Sequence, residues 1–165
     1  MGFFNIYIKL DSYLAQWFVN EQGGDVPVKL IRGSVESAIL EQFLQRQPDD
    51  LPIDTSASGK LPIIIPCFKH KPPEKFFYLP PKAEDLLVSS IRNRFDICLW
   101  QTLHRFENML GRQDELIFAF MEKHGIEVND TNWNAIAKRY QRMRNKYLNS
   151  QRQRKFKKKL GISVQ

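Results

Sequence analysis

Apolar and polar positions change rhythm along this chain, and the changes mark its elements. Asn5–Leu10 alternates, with Ile6, Ile8 and Leu10 on one face and Asn5, Tyr7 and Lys9 on the other, which predicts a strand. Asp11 then stands as the cap of a helix running to about Gln22, with Leu14, Trp17 and Phe18 inward, ended by Gly23-Gly24. Val26–Ile31 fits a short strand. Gly33-Ser34 opens a second helix to about Gln45, burying Ile39, Leu40, Phe43 and Leu44. Asp, Ser, Pro and Gly between Gln47 and Lys60 predict a loop. Leu61–Phe68 reads as a strand with prolines near its ends, and His70–Pro81 as a Pro-rich extended connector.

The second half takes on a helical period. Leu87, Ile91, Phe95, Leu99 and Leu103 recur every four residues, with Phe106 and Leu110 following, and predict one helix over Ala83–Leu110, roughly 40 Å long. Gln113–His124 forms another, with Leu116, Ile117, Phe120 and Met121 inward and Gly125 as its stop. Asn129 or Asp130 caps a last helix from Thr131 to about Arg154. The pattern predicts a mostly helical α+β protein: short N-terminal strands with two helices, then three C-terminal helices and a basic tail. The expected divisions are 1–81, a small α/β portion with its connector; 82–150, a helical binding portion; and 151–165, a mobile basic tail.

Charge sharpens this picture. The 165 residues hold 25 Lys and Arg against 18 Asp and Glu, a net charge of +7. Eleven of the basic residues fall in 131–165, which contain no acid, so 1–130 carry 14 basic and 18 acidic side chains, a net of −4. All the positive excess thus lies in the last 35 residues, and a polyanion is the usual partner for such a surface. An ordinary solvated helix face with a solubilising tail is the competing explanation. Exposed helices normally mix both signs, which favours binding.

In the last helix Trp133, Ile136, Ala137, Tyr140, Met143 and Tyr147 share one side. Lys138, Arg139, Arg142 and Lys146 fall on the other, flanked by Asn134, Gln141 and Asn145. Cations suit phosphates, and Arg, Asn and Gln also pair with base edges. Asn134 and Gln141 are the candidates for sequence readout, and Arg144 breaks the pattern near the apolar arc. Arg152, Arg154, Lys155, Lys157, Lys158 and Lys159 add six charges for the phosphate backbone. The expected function is therefore non-enzymatic DNA binding. RNA binding within a ribonucleoprotein is one alternative, with Phe76, Phe77 and Tyr78 as stacking residues if exposed. A structural or interaction protein of a phage-like assembly is another, and a further protein partner or homo-oligomer stays open.

Gln113–His124 followed by Thr131–Tyr147 resembles a helix-turn-helix, with Leu116, Ile117 and Phe120 against Trp133, Ile136 and Tyr140. The resemblance implies that the last helix is the reading helix. The connection Gly125–Asp130 is longer than the motif's usual turn. The run from Trp133 to Arg142, with Arg144 and Tyr147, looks like accessory proteins of phages and mobile elements, which implies a setting rather than an activity. At the other end, the strand at Asn5–Leu10 with its two helices is similar to a ribbon-helix-helix, which would aim Asn5, Tyr7 and Lys9 at the major groove. The insertion Asp25–Arg32 departs from that pattern, and an ordinary α+β core accounts for the same order.

Other chemistry has little support in the residues. Two cysteines make no disulfide framework, so a reducing, cytoplasmic location is expected. No basic segment precedes a long apolar block at the N-terminus, and no apolar stretch is long enough for a bilayer, so neither a secretion signal nor a membrane partner is expected. Cys67 and His70 have ligand-like spacing, with Cys98 and His104 as possible companions, yet they match no known zinc finger. Asp49, Asp50 and Asp54 suit a solvated loop better than a metal-dependent nuclease. No phosphate-binding glycine loop is present. No cofactor, metal or catalytic residue is expected.

Overall fold

The structure, a computed structural model, describes residues 4–53, 58–106 and 112–160. Asp54, Leu110 and the Phe106 side chain lie outside the described residues. The described elements run β1 (Asn5–Ile8), α1 (Ser12–Glu21), β2 (Val28–Lys29), α2 (Val35–Phe43), β3 (Leu61–Ile64), α3 (Pro81–Phe106), α4 (Gln113–Lys123) and α5 (Asp130–Lys159). The expected α+β class, with strands first and helices after, is the one found.

β3 lies in the middle of the small sheet, antiparallel to β1 and parallel to β2. Ile6 stands opposite Ile63, and Val28 stands opposite Ile63 from the other side; all three are buried. The strands are shorter than their apolar patterns. β3 stops at Ile64, ahead of Pro66, which has no N–H for a ladder. Chain pairing continues as isolated bridges, Gln45 with Tyr78 and Phe68 with Lys71, so the Pro-rich connector is fastened to the body. Lys71 adds to this by donating from Nζ to the carbonyls of Gln42 and Leu44, both at 2.9 Å.

Helix starts follow local chemistry. Ser34 accepts from the Ser37 N–H at the start of α2, and Asn129 accepts from the Asn132 N–H at 2.8 Å at the start of α5. Asp11 occupies the first position before α1, but its side chain makes no capping bond, so that expectation holds in place and not in chemistry. Gly125 ends α4 at a φ of +65°, and an added Cβ there would meet the Asn20 side chain at 3.1 Å, so both backbone and space call for glycine.

α3 is the spine. Leu87, Ile91, Phe95 and Leu99 are fully buried and Leu103 nearly so, along a helix of 26 residues, about 39 Å. α1, α2, α4 and α5 all pack on it. Phe95 makes edge-to-face contacts with Tyr13 and Trp17 of α1 and Phe120 of α4. One cluster of buried side chains therefore extends from Ile6 in β1 to Tyr140 in α5, across the expected division at 81/82. Among the described residues no helix is long and apolar enough to cross a membrane.

Candidate nucleic-acid interface

α5 is held by its first half. Asn132 is buried and donates to the Glu127 carbonyl at 3.0 Å and to Gln16 Oε1 at 3.4 Å, tying the first turn to α1. Ile136 and Tyr140 are buried one and two turns on. Trp133 packs on Phe118 of α4, and Trp100 of α3 touches both Tyr140 and Tyr147. The apolar stripe read from the sequence thus faces the body, as expected, as far as Met143, while Tyr147 touches Trp100 but is exposed.

Arg139 corrects the expected binding set. It sits at the edge of the buried stripe, and its Nε and one terminal nitrogen donate to the two oxygens of Asp96 on α3, the second bond at 2.7 Å. Its charge is satisfied inside the protein. The bond to Asp96 comes first in keeping the guanidinium protonated, above its ordinary value. At 100° per residue, Arg139 falls between the inner and outer faces, and an acid 43 positions earlier in the chain decides which way it turns.

The other expected residues stand outward. Asn134, Lys138, Gln141, Arg142, Asn145 and Lys146 are all exposed. Among the described residues, no carboxylate lies within ion-pair distance of Lys138, Arg142 or Lys146. Asn134, Gln141 and Asn145 form a central row, with Lys138, Arg142 and Lys146 following one turn apart along its flank. Arg144, which did not fit the pattern, is half-buried and engaged.

The expected mobile tail is a continuation of the helix: α5 does not stop near Arg154 but runs to Lys159, 30 residues and about 45 Å in one element. From Arg152 to Lys159 every residue is exposed, so Arg152, Arg154, Lys155, Lys157, Lys158 and Lys159 ring a projecting end. Three lysines in the last turn also suit the negative end of the helix dipole. A cleft of about 380 Å³ opens beside this face, between the first turn of α1 and α5; Ser12, Tyr13, Asn132, Lys138 and Arg142 line it, with Asp11 at its edge.

The remaining candidates are scattered. Cys67 and His70 are both exposed, and Asp49 and Asp50 lie exposed in their loop. His104 stacks on Trp100 instead of meeting Cys98. The Cys98 sulfur lies 3.8 Å from His124 Nε2, and His124 Nδ1 lies 3.2 Å from Glu21. Among the described residues no group of three or more His, Cys, Asp or Glu could hold a metal ion. Phe76 and Phe77 pack half-buried against the core, with Arg46 over the Phe76 ring, so they form no open stacking platform. The residues that sequence reading missed are the partners: Asp96, Glu21, and the fully buried Glu36, which accepts from Ser90 and Arg94. Asp96 has apolar sequence neighbours, Phe95 and Ile97, while Glu21 and Glu36 carry no comparable local mark. No known protein family, curated protein or solved structure matches this chain.

Proposed function

We propose that this protein binds duplex DNA through the outward face of α5 and its projecting basic end, as a cytoplasmic regulatory or accessory factor. The observation that carries the reading is the outward cation row, Lys138, Arg142 and Lys146, running on one continuous helix into the exposed cations from Arg152 to Lys159. An α-helix fits the major groove, and its flanking cations then meet phosphates on the groove walls. The central amides of Asn134, Gln141 and Asn145 face the base edges, where Asn and Gln pair in bidentate fashion with adenine. The anchored half of the helix serves the same end: Arg139 and the buried stripe fix its orientation, so the outward face is presented without rotation. Duplex is favoured over single-stranded RNA because Phe76 and Phe77, the expected stacking residues, are packed against the core, although Phe156 stands exposed among the terminal cations.

The test is a gel shift at low salt with Lys138→Glu, Arg142→Glu and Lys146→Glu combined. Loss of duplex binding with an unchanged circular dichroism spectrum is the expected result. Wild-type affinity in that variant overturns the assignment.

A further inference from the structure

Three helices bring a thiol, an imidazole and a carboxylate into line. Cys98 comes from α3, His124 from the end of α4 and Glu21 from the end of α1. Glu21 Oε1 lies 3.2 Å from His124 Nδ1, which sets that nitrogen as the proton donor and leaves Nε2 as the acceptor, 3.8 Å from the Cys98 sulfur. The His124 ring is further held by Phe120, centroids 4.5 Å apart. This is an acid, base and nucleophile in the order that activates a thiol.

The Trp17 indole N–H is buried without an ordinary hydrogen-bond acceptor. Burial, and after it the Glu21 charge, push the resting thiol up from its ordinary value. Cys98 therefore rests protonated, and its proton leaves during attack rather than before it.

We propose that Cys98 is a base-assisted thiol that reduces small hydroperoxides. Cys98 is half-buried, which favours a reactant of a few atoms. In the step, the Cys98 S–H proton passes to His124 Nε2 as the sulfur attacks one peroxide oxygen. The O–O bond breaks, an S–O bond forms, and the leaving hydroxide or alkoxide takes the proton from the imidazolium. Water or alcohol departs, and the sulfur is oxidised by two electrons to sulfenic acid while the peroxide is reduced. Glu21 stabilises the imidazolium that exists between the two proton transfers.

The exposed Cys67 provides an internal control in the same chain. The full-length protein is treated with hydrogen peroxide in the presence of dimedone, and adducts at each cysteine are counted by mass spectrometry over time. The expected result is faster labelling at Cys98 than at Cys67, despite its lower exposure. His124→Gln and Glu21→Gln should each slow Cys98, the first by about a hundredfold, while Cys67 keeps its rate. Imidazole added to His124→Ala should restore part of the missing rate at Cys98, which a purely structural role of His124 would not permit. Slower labelling at Cys98 than at Cys67 in the wild type, or an unchanged Cys98 rate in both His124→Gln and Glu21→Gln, overturns the proposal.

Discussion

Arg139 of α5 lies against Asp96 of α3 in a two-pronged ion pair, one prong a 2.7 Å bond from a terminal nitrogen to Oδ2. The pair is about three-quarters shielded from water on both sides. Removing one partner leaves the other charge half-buried and unsatisfied. Asp96→Ala should therefore cost about 2 kcal/mol in urea unfolding. Replacing Arg139 should likewise weaken the fold, so failure of DNA binding in such a variant would report detachment of α5 and not a missing phosphate partner. Unchanged unfolding midpoints for Asp96→Ala would show that the pair contributes nothing.

Glu36 poses a sharper case, since it is fully buried on α2 and reaches Arg94 at 3.0 Å and Ser90 at 3.1 Å. Arg94→Leu strands a carboxylate in the α2–α3 contact. A drop of about 3 kcal/mol is expected, read from the denaturant midpoint. The double variant Glu36→Leu with Arg94→Leu should recover part of that drop, because no buried charge is then left unpaired.

Tyr13 sets an alkaline limit. Burial, the largest influence, holds its hydroxyl above the ordinary value of about 10. A folded-state value above the unfolded one means that the unfolded chain releases this proton first as pH rises. Stability from this group is thus complete below pH 10 and declines as pH climbs from there through the folded-state value. Thermal unfolding between pH 9 and about 11 should fall less steeply in Tyr13→Phe than in the wild type. Equal slopes would remove Tyr13 as the cause.

The projecting end of α5 gives a prediction about salt. Truncation at Gln151 removes Arg152, Arg154, Lys155, Lys157, Lys158 and Lys159. For every phosphate these side chains neutralise, the truncation should flatten the slope of log affinity against log salt by about 0.9. Fluorescence anisotropy with a labelled duplex at several salt concentrations measures this, and a slope that does not move would show these cations idle.

The helical half of the fold was legible because its burial is periodic. Leu87 to Leu103 repeat every four residues and all of them are buried, and the stripe from Trp133 to Met143 turns inward where its spacing says it should. The strands were legible as elements but not as a sheet. Nothing local in Val28 or Ile63 states that β2 runs parallel to β3, since that register is fixed by packing between segments more than thirty residues apart. The candidate interface was legible in its exposed residues for the same reason that it failed at Arg139. A helical wheel assigns a face, and Arg139 lies at the boundary, where an acid distant in sequence settles the orientation. Glu21, Asp96 and Glu36 escaped for that reason too. Their roles are pairwise, and one member of a pair carries no periodic mark.

The far turns of α5 have a consequence for the proposed binding. Arg154 and Lys158 stack one turn apart, as do Lys155 and Lys159, and from Arg152 onward every residue of the helix is exposed to water. Like charges at this spacing oppose helix formation by about 0.2–0.5 kcal/mol per pair, and an unsupported helix this short is marginal by itself. A nearby polyanion cancels that repulsion. Under the proposed DNA binding, phosphates lined along these turns would therefore stabilise the helix end that the like charges oppose.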